Sequence, residues 1–290
     1  MRFASAASIA LALFAVGCNG GDSAHNEAPA HGEDHAEAAT HGAPAEHGGG
    51  HGVSLGPADA HAASSAPDAH AAPHWSYANQ NAWAGVAGTC GGGREQSPIN
   101  LASASPMAET ADLVPHYLTM RGRFVNNGHT LQFTPAATAT LDIGADHYNL
   151  AQFHFHSPAE HTLDRRAYPV ELHFVHRNEH GQLAVVGVFI EEGAENPALA
   201  ALLEQMPRGE GDARATELDV NLMALLPPDR AYFAYAGSLT TPPCSEGVRW
   251  NVLRTPIQAS AQQIAAMREA LGASARHVQP VNERTVLLGS

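Results

Sequence analysis

Two histidines placed two positions apart are the first residues in this sequence that could bind a metal. They lie in the segment Gln152-Phe153-His154-Phe155-His156. In an extended strand, side chains two positions apart point to the same face. His154 and His156 are therefore predicted to lie side by side on one face of a strand. Phe153 and Phe155 would then pack on the other face, and the two imidazoles could chelate a metal ion.

A third histidine lies in the segment Glu171-Leu172-His173-Phe174-Val175-His176, 17 residues after His156. By the same alternation, Glu171 and His173 share a face, whereas His176 points to the opposite face. Three histidines with an open fourth position are typical of a catalytic zinc site, because a structural site closes with four ligands. Zinc held there would lower the pKa of a bound water to about 7. The spacing alone does not distinguish zinc from other metals that bind imidazole.

Polar residues stand two positions before two of these histidines. Metal-bound histidines usually donate their second ring N–H to a carboxylate, an amide or a carbonyl. We therefore predict that Gln152 orients His154 and that Glu171 orients His173. The alternative is that both are ordinary polar residues of a strand, which would be costly if they were buried without a partner.

The elements that position these residues are short apolar runs separated by turn residues. Short apolar runs predict strands over Phe124–Asn126, Leu131–Phe133 and Thr138–Ile143, and runs rich in Val and Phe predict strands over Gln152–His156, Glu171–His176 and Leu183–Ile190. Apolar residues at helical spacing predict helices over Asn196–Gln205 and Ser260–Leu271. Many strands with few helices indicate a mainly β (α+β) fold class, built on a large, mostly antiparallel sheet.

Residues 1–17 have the pattern of a signal peptide for export. Met1-Arg2 precedes an apolar run from Phe3 to Val16, which is too short to span a membrane. The segment Ala15-Val16-Gly17-Cys18 resembles a bacterial lipobox, which predicts an acylated Cys18 at the mature N-terminus. Ordinary cleavage after Gly17 is the alternative. The protein is thus predicted to be exported, either to the periplasm or as a lipoprotein anchored to the outer membrane.

Residues 18–73 form a histidine-rich acidic segment with almost no large apolar side chain. Such a composition cannot offset the entropy of ordering, so we expect a disordered tether. Its eight histidines are His25, His31, His35, His41, His47, His51, His61 and His70. They could bind extra metal weakly or buffer protons. Because no ligand spacing repeats among them, compositional drift in a solubilising linker is the favoured interpretation.

The composition changes at His74, after which Trp75, Tyr77 and Trp83 arrive within ten residues. We therefore predict one domain over residues 74–290. The formal net charge is −14, and all 15 basic residues are Arg. Without a basic cluster to neutralise phosphates, the sequence argues against nucleic-acid binding.

Two cysteines, Cys90 and Cys244, remain if Cys18 is lipidated. Export places them in an oxidising compartment, where two remaining cysteines tend to form a disulfide. The alternative is two buried free thiols.

Several longer motifs resemble the alpha-class carbonic anhydrases. In chain order they are Gln96-Ser97-Pro98-Ile99-Asn100-Leu101, Phe153–His156, Ser157-Pro158-Ala159-Glu160-His161-Thr162, Glu171–His176 and Ser238-Leu239-Thr240-Thr241-Pro242-Pro243. The resemblance runs from His74 to Pro280 and so covers the whole predicted domain. It implies a large twisted sheet of about ten mostly antiparallel strands with a few short peripheral helices. It also implies one zinc ion per chain in a conical cleft, held by His154, His156 and His173.

The resemblance further implies reversible hydration of carbon dioxide to bicarbonate and a proton, through attack by zinc-bound hydroxide. Thr240 matches the family's gatekeeper hydroxyl, and Glu160 matches the buried carboxylate that receives its proton. His129 matches the histidine that shuttles protons to solvent. A side activity on activated esters would accompany this chemistry. Relatives that bind without catalysis lose one or more of the zinc histidines, whereas this sequence retains all three.

Other positions match the surroundings of that cleft. The residues that order water are matched by Tyr77, Asn127 and Gln132, and Thr241 would line the polar side. The apolar wall that holds carbon dioxide is matched by Val175, Val185, Leu239, Val248 and Trp250. Cys90 and Cys244 match a disulfide of secreted bacterial members. The sequence leaves a homodimer open.

One departure from the family is visible near the C-terminus. The usual Asn before an Arg-Pro pair is absent from Ser274-Ala275-Arg276-His277. In relatives this site offers a backbone carbonyl to one zinc histidine, so we expect the replacement to have a small effect.

Overall fold

The structure is a computed structural model that describes residues 75–207 and 218–289. The predicted signal peptide, Cys18, the histidine-rich segment and His74 lie outside the described residues. Within the described ranges, no helix is long and apolar enough to cross a membrane.

Strands make up most of the regular structure. They are β1 Asn100–Leu101, β2 Leu113–His116, β3 Thr119–Asn126, β4 Leu131–Pro135, β5 Thr140–Ile143, β6 Asp146–His156, β7 Thr162–Leu163, β8 Arg166–Ala167, β9 Val170–Arg177, β10 Leu183–Glu192, β11 Leu218–Asn221, β12 Tyr232–Ser238, β13 Glu246–Ala259 and β14 Leu287–Gly289. The α-helices are α1 Trp83–Val86, α2 Thr89–Gly92, α3 Pro197–Glu204 and α4 Ala261–Leu271, with 3-10 helices at Tyr77–Ala82 and Leu222–Leu225.

Eleven of these strands form one large sheet. Its main order is β11-β3-β4-β6-β9-β10-β13-β12-β14, and β5 joins β6 to β2. Only β10 and β13 pair in parallel in the described part of this sheet, and the other pairs are antiparallel. A second, three-stranded sheet contains β1, β7 and β8. The predicted fold class, a large and mostly antiparallel sheet with few helices, is confirmed.

Local sequence explains where the predicted elements begin and end. At the start of α4, the Ser260 hydroxyl accepts from the backbone N–H of Gln263, and the Gln263 side chain accepts from the backbone N–H of Ser260. The helix ends at Gly272, which has φ 59°. In α3, the Asn196 side chain accepts from the first free backbone N–H groups. The six predicted strands are all present, with end points that differ by a few residues.

The apolar side chains form two clusters on opposite faces of the large sheet. Alternate residues of β10 enter different clusters: Val186 and Val188 pack in the larger one, and Val185 packs in the smaller one. Phe153 and Phe155 of β6 belong to the larger cluster. The intervening histidines of β6 therefore point to the opposite face, as the two-residue alternation predicts.

Candidate metal centre and active site

The neighbouring strands β6 and β9 bring the three predicted histidines together. In the register of this pair, His154 lies directly opposite His173, and His156 lies opposite Glu171. One nitrogen of each of the three imidazoles lies within 4.8 Å of the others. Gly187 of β10 is the neighbour of His173 on the other side, and a Cβ there would approach the Glu171 carboxylate at 3.1 Å. A small residue at that position therefore leaves room for the Glu171 side chain.

Each imidazole has one ring nitrogen within 3.0 Å of a neighbouring oxygen. Nδ1 of His154 lies 2.8 Å from Oε1 of Gln152. Nδ1 of His156 lies 2.6 Å from the carbonyl oxygen of Ser274. Nε2 of His173 lies 3.0 Å from Oε1 of Glu171. Gln152 and Glu171 thus lie beside ring nitrogens of His154 and His173, and the second nitrogen of each ring is left for another partner.

The protein environment keeps these imidazoles neutral. Burial, with the neighbouring His156 and His173, lowers the pKa of His154 well below its ordinary value. Burial lowers the pKa of His156 to about 4, and burial also lowers the pKa of His173. Nε2 of His156 is buried and has no hydrogen-bond partner in the described structure. Neutral imidazoles with unused lone pairs are what a metal ion requires, so this donor set fits zinc.

Glu171 is a fully buried carboxylate with several partners. Its Oε2 accepts hydrogen bonds from the backbone N–H groups of Glu160 and His161, at 2.9 and 2.8 Å. Its Oε1 lies 2.7 Å from Nδ1 of His161. Burial acts to raise the pKa of Glu171, but His161 and His173 hold it well below the usual range. The carboxylate is therefore ionised and can hold both imidazoles in fixed orientations.

The contacts of Glu171 continue into a chain that the sequence did not reveal. Nε2 of His161 lies 2.6 Å from the Tyr235 hydroxyl, which lies 2.9 Å from Oγ of Ser97. His161 belongs to the recognisable segment after His156, and that position is the only sequence signal for it. Tyr235 lies on β12, 74 residues later in the chain, so no local pattern connects the two.

Glu160 and Thr240 meet beside the histidines. Glu160 is 1 % exposed, and its Oε1 accepts the backbone N–H of Arg276 at 2.8 Å. Burial raises the pKa of Glu160 to about 7, against the opposing effects of His173, the Arg276 N–H and a hydrogen bond with the Thr240 side chain. Oε2 of Glu160 lies 3.5 Å from Nε2 of His156. Thr240, 84 positions after His156 in sequence, is therefore placed at the histidine cluster by the fold.

A disulfide closes the segment that carries Thr240. Cys90 and Cys244 are joined across a sequence separation of 154 residues, so the predicted pairing is confirmed. The backbone N–H of Cys244 donates to the carbonyl of Thr241 at 2.8 Å, in a tight turn in which Cys244 has φ 56°. The disulfide and this turn together fix the path of the chain just after Thr240.

The five apolar residues matched to the carbon dioxide wall belong to a single cluster. Val185, Val248 and Trp250 are buried in it, and Val175 and Leu239 pack against it. The ring centroid of Trp250 lies 4.9 Å from that of His173. The apolar surface therefore lies directly beside the histidine cluster, next to the half-buried Thr241.

The residues matched to the proton path lie around the turn between β3 and β4. His129 stacks on Trp75 with a centroid distance of 4.0 Å, and the contacts of the described structure do not connect it to the three histidines. The Asn127 side chain closes the turn by accepting from the backbone N–H groups of His129 and Thr130. Gln132 is the cross-strand neighbour of His154.

Tyr77 also lies close to the histidine cluster. Its ring centroid lies 6.5 Å from that of His156. Burial raises the pKa of its hydroxyl, and nearby Glu160 adds to that effect. The phenol is therefore neutral and able to take part in hydrogen bonds at the site.

Comparison with known proteins agrees with this arrangement. The family model for eukaryotic-type carbonic anhydrase matches residues 78–289. A carbonic anhydrase of Klebsiella pneumoniae is 41 % identical over 246 residues, which cover 81 % of this chain and 99 % of the relative. A carbonic anhydrase of a Nostoc species is 40 % identical over 203 residues, covering 68 % of this chain and 77 % of the relative.

The fold agrees with solved structures as well. The alpha-carbonic anhydrase of Thermovibrio ammonificans, solved with the inhibitor sulfanilamide, has a TM-score of 0.71 and 38 % identity, covering 74 % of this chain and 98 % of that one. Sequence, fold and family model thus agree over the same region, and the chain belongs to the eukaryotic-type, or alpha, carbonic anhydrase family.

Proposed function

We propose that this protein is a zinc-dependent carbonic anhydrase that catalyses the reversible hydration of carbon dioxide to bicarbonate and a proton. Membership of the family supports the reaction. The observation that carries the proposal is the convergence of three neutral imidazoles. One nitrogen of each ring lies within 4.8 Å of the others, beside the buried pair of Glu160 and Thr240. The resemblance implies that relatives which bind without catalysis lose one or more of these histidines, whereas this chain retains all three.

His154, His156 and His173 would hold one zinc ion through their free ring nitrogens. Zinc supplies Lewis-acid chemistry that lowers the pKa of water to about 7. Gln152 and Glu171 would fix the rings of His154 and His173 through the contacts described above. Such outer contacts orient the ligands and raise their basicity.

Thr240 and Glu160 would set the direction of attack on the substrate. When the Thr240 hydroxyl donates its proton to the Glu160 carboxylate, its oxygen is left as an acceptor facing the cleft. An acceptor there orients the attacking oxygen so that a lone pair points at the substrate carbon. This is catalysis by positioning, since the acceptor fixes geometry without abstracting a proton from the substrate.

Carbon dioxide has no charge and few strong hydrogen-bonding groups, so a dry apolar surface suits it. Val175, Val185, Leu239, Val248 and Trp250 would supply that surface next to His173. Thr241 would line the more polar side. Holding the substrate by weak contacts leaves the charged product free to depart, because bicarbonate gains nothing from an apolar wall.

His129 would carry the released proton to solvent. Imidazole is the side chain best suited to exchanging protons with water under neutral conditions. The ring of His129 stacks on Trp75 rather than on the zinc histidines, so waters must bridge the gap. Tyr77, Asn127 and Gln132 lie around that gap and would order the bridging waters.

Further proposals concern the whole chain. The catalytic domain would span residues 74–290, and hydrolysis of activated esters would be a side activity. Residues 1–17 would direct export, with Cys18 as a lipid anchor in the periplasm or at the outer membrane. Residues 18–73 would serve as a solubilising linker, with weak binding of extra metal by its histidines as the alternative, and the domain could form a homodimer.

Stopped-flow hydration of carbon dioxide tests the main proposal. The zinc-loaded protein is compared with His173→Ala and with His180→Ala, a control histidine that is exposed in a turn. We expect His173→Ala to abolish hydration and to lose stoichiometric zinc, while His180→Ala retains both. One zinc per chain in a folded wild-type protein without hydration would contradict the proposed enzyme.

A further inference from the structure

Arg276 is a buried arginine whose guanidinium is fixed by main-chain carbonyls. The residue is 4 % exposed, and its pKa is lowered by burial, with nearby Glu160 opposing that effect. Nη1 donates to the carbonyl of Ser97 at 2.7 Å, and Nη2 donates to the carbonyl of Cys90 at 3.0 Å. The guanidinium also lies 5.7 Å from the ring centre of Trp83. A buried charge is costly unless it is hydrogen-bonded, so these two carbonyls determine where the side chain lies.

The main chain around Arg276 contacts the proposed site at two points. The backbone N–H of Arg276 donates to Oε1 of Glu160 at 2.8 Å. Two residues earlier, the carbonyl of Ser274 accepts from Nδ1 of His156 at 2.6 Å. We call residues 274–276 the strap. The strap lies outside any helix or strand, so its position depends on contacts with neighbouring segments.

The disulfide lies at the other end of the Arg276 side chain. Cys90, whose carbonyl accepts from Nη2, belongs to the short helix α2 and is bonded to Cys244. Cys244 closes the segment that carries Thr240. The disulfide is therefore connected to Thr240 through Cys244, and to Glu160 through Cys90 and Arg276.

We propose that Arg276 is a positioning residue that transmits the constraint of the Cys90–Cys244 disulfide to Glu160 and His156. The proposal rests on the proposed function, because it concerns two residues of that same site. With the disulfide closed, α2 holds the Cys90 carbonyl in place, and this carbonyl fixes the guanidinium and the strap. With the disulfide open, α2 loses its covalent link to Cys244. The Cys90 carbonyl is then no longer fixed as an acceptor for Arg276.

A double-mutant cycle tests this connection. Arg276→Met removes the donors but keeps an unbranched side chain, and it is made both in the disulfide-bonded protein and in Cys90→Ser/Cys244→Ser. Arg276→Lys keeps a charged donor. Arg284→Met is the matched control, because Arg284 also donates to main-chain carbonyls and lies 5.6 Å from the ring centre of Tyr235. Each zinc-loaded variant is assayed for kcat/KM, for zinc release to a chelator and for Tm.

The disulfide-bonded Arg276→Met variant is expected to lose about 10-fold in kcat/KM, because a small displacement of a positioning group has large effects. It is also expected to release zinc about 10-fold faster, as substitutions outside the ligand set commonly do. Without the disulfide, the same substitution should change kcat/KM and the rate of zinc release by less than about 3-fold, because the effects of substitutions in one connected network are not additive. Arg276→Lys should recover part of both losses, and Arg284→Met should change each by less than about 2-fold.

Equal fold losses in the two backgrounds would overturn the proposal, because Arg276 would then act independently of the disulfide. A lower Tm with unchanged kcat/KM and zinc release would also overturn it, since the role would be structural alone. If the wild-type protein binds zinc but does not hydrate carbon dioxide, the proposed function fails. The comparison of zinc release in the two backgrounds still tests the Arg276 connection in that case.

Discussion

His176 is expected to make the protein sensitive to acid from the side of the sheet opposite the histidine cluster. Its ring is fully buried, with Nε2 lying 2.5 Å from the Tyr117 hydroxyl and Nδ1 lying 3.3 Å from the Ala184 carbonyl. Nδ1–H can donate to that carbonyl while Nε2 accepts from Tyr117, so the contacts suit a neutral ring. Burial lowers its pKa to about 4.

The sign and size of the effect follow from the two protonation equilibria. An unfolded histidine has a pKa of about 6.5, so the unfolded chain binds a proton between pH 6.5 and 4 that the folded chain excludes. Stability therefore falls as the pH falls through 6.5, and the loss is complete near pH 4. Over the whole interval between pH 6.5 and 4, the free energy of unfolding falls by about 3 kcal/mol. About 2.5 kcal/mol of this is already lost at pH 4.5.

Urea unfolding of the zinc-free, disulfide-bonded protein at pH 7.5 and pH 4.5 measures this loss. His176→Gln keeps a donor and an acceptor but does not titrate, so it should lose about 2.5 kcal/mol less than the wild type between these values. His154, His156 and His173 are the same in both proteins, so their titration cancels in the comparison. His180→Gln, at an exposed position, controls for histidine removal. An equal loss of unfolding free energy in the wild type and in His176→Gln between pH 7.5 and pH 4.5 would refute the reasoning.

Four further outcomes are expected. Gln152→Ala should weaken zinc binding by about 10-fold or more, because the His154 ring loses its partner; an unchanged affinity in a chelator competition would contradict this. His129→Ala should slow turnover in dilute buffer, and imidazole should restore it; a rate indifferent to imidazole argues against a shuttle. Ser274→Ala should cost about 1–3 kcal/mol in urea unfolding by removing the acceptor of the buried Ser157 N–H, with zinc affinity nearly unchanged. Deleting residues 19–73 should leave hydration intact and abolish any metal binding beyond one zinc; stopped-flow assays and isothermal titration check the two outcomes.

The strands that carry the histidines were predictable because their information is local. In β6, aromatic and imidazole side chains alternate, so one face is apolar and the other is available for a ligand. The same alternation in β9 places His173 and His176 on opposite faces, and the structure bears this out. The longest strand, β13, was missed from sequence, although Val248, Trp250 and Val252 alternate with polar residues and pack in the smaller cluster. β13 pairs with β10 on one edge and with β12 on the other, and these hydrogen bonds fix its extended conformation.

The contacts around the metal centre could not be predicted from local patterns. The carbonyl that holds His156 comes from a residue 118 positions away, and the N–H that holds Glu160 comes from one 116 positions away. Both belong to the main chain, which carries the same groups whatever the side chain. Only the complete fold brings these segments together, so the resemblance to a family indicated the place and the structure supplied the partners.

The departure at Ser274 shows which features of such a site the sequence can change. The group that His156 uses is the carbonyl of residue 274, so replacing the family's usual Asn with Ser leaves that hydrogen bond in place. The Ser274 hydroxyl instead accepts the backbone N–H of Ser157 at 3.0 Å, which satisfies a buried donor next to His156. Arg276 is different, because its side chain, rather than its main chain, reaches the Cys90 and Ser97 carbonyls. We therefore expect substitution to be tolerated where the site uses only the backbone, and to be restricted where a side chain keeps that backbone in position.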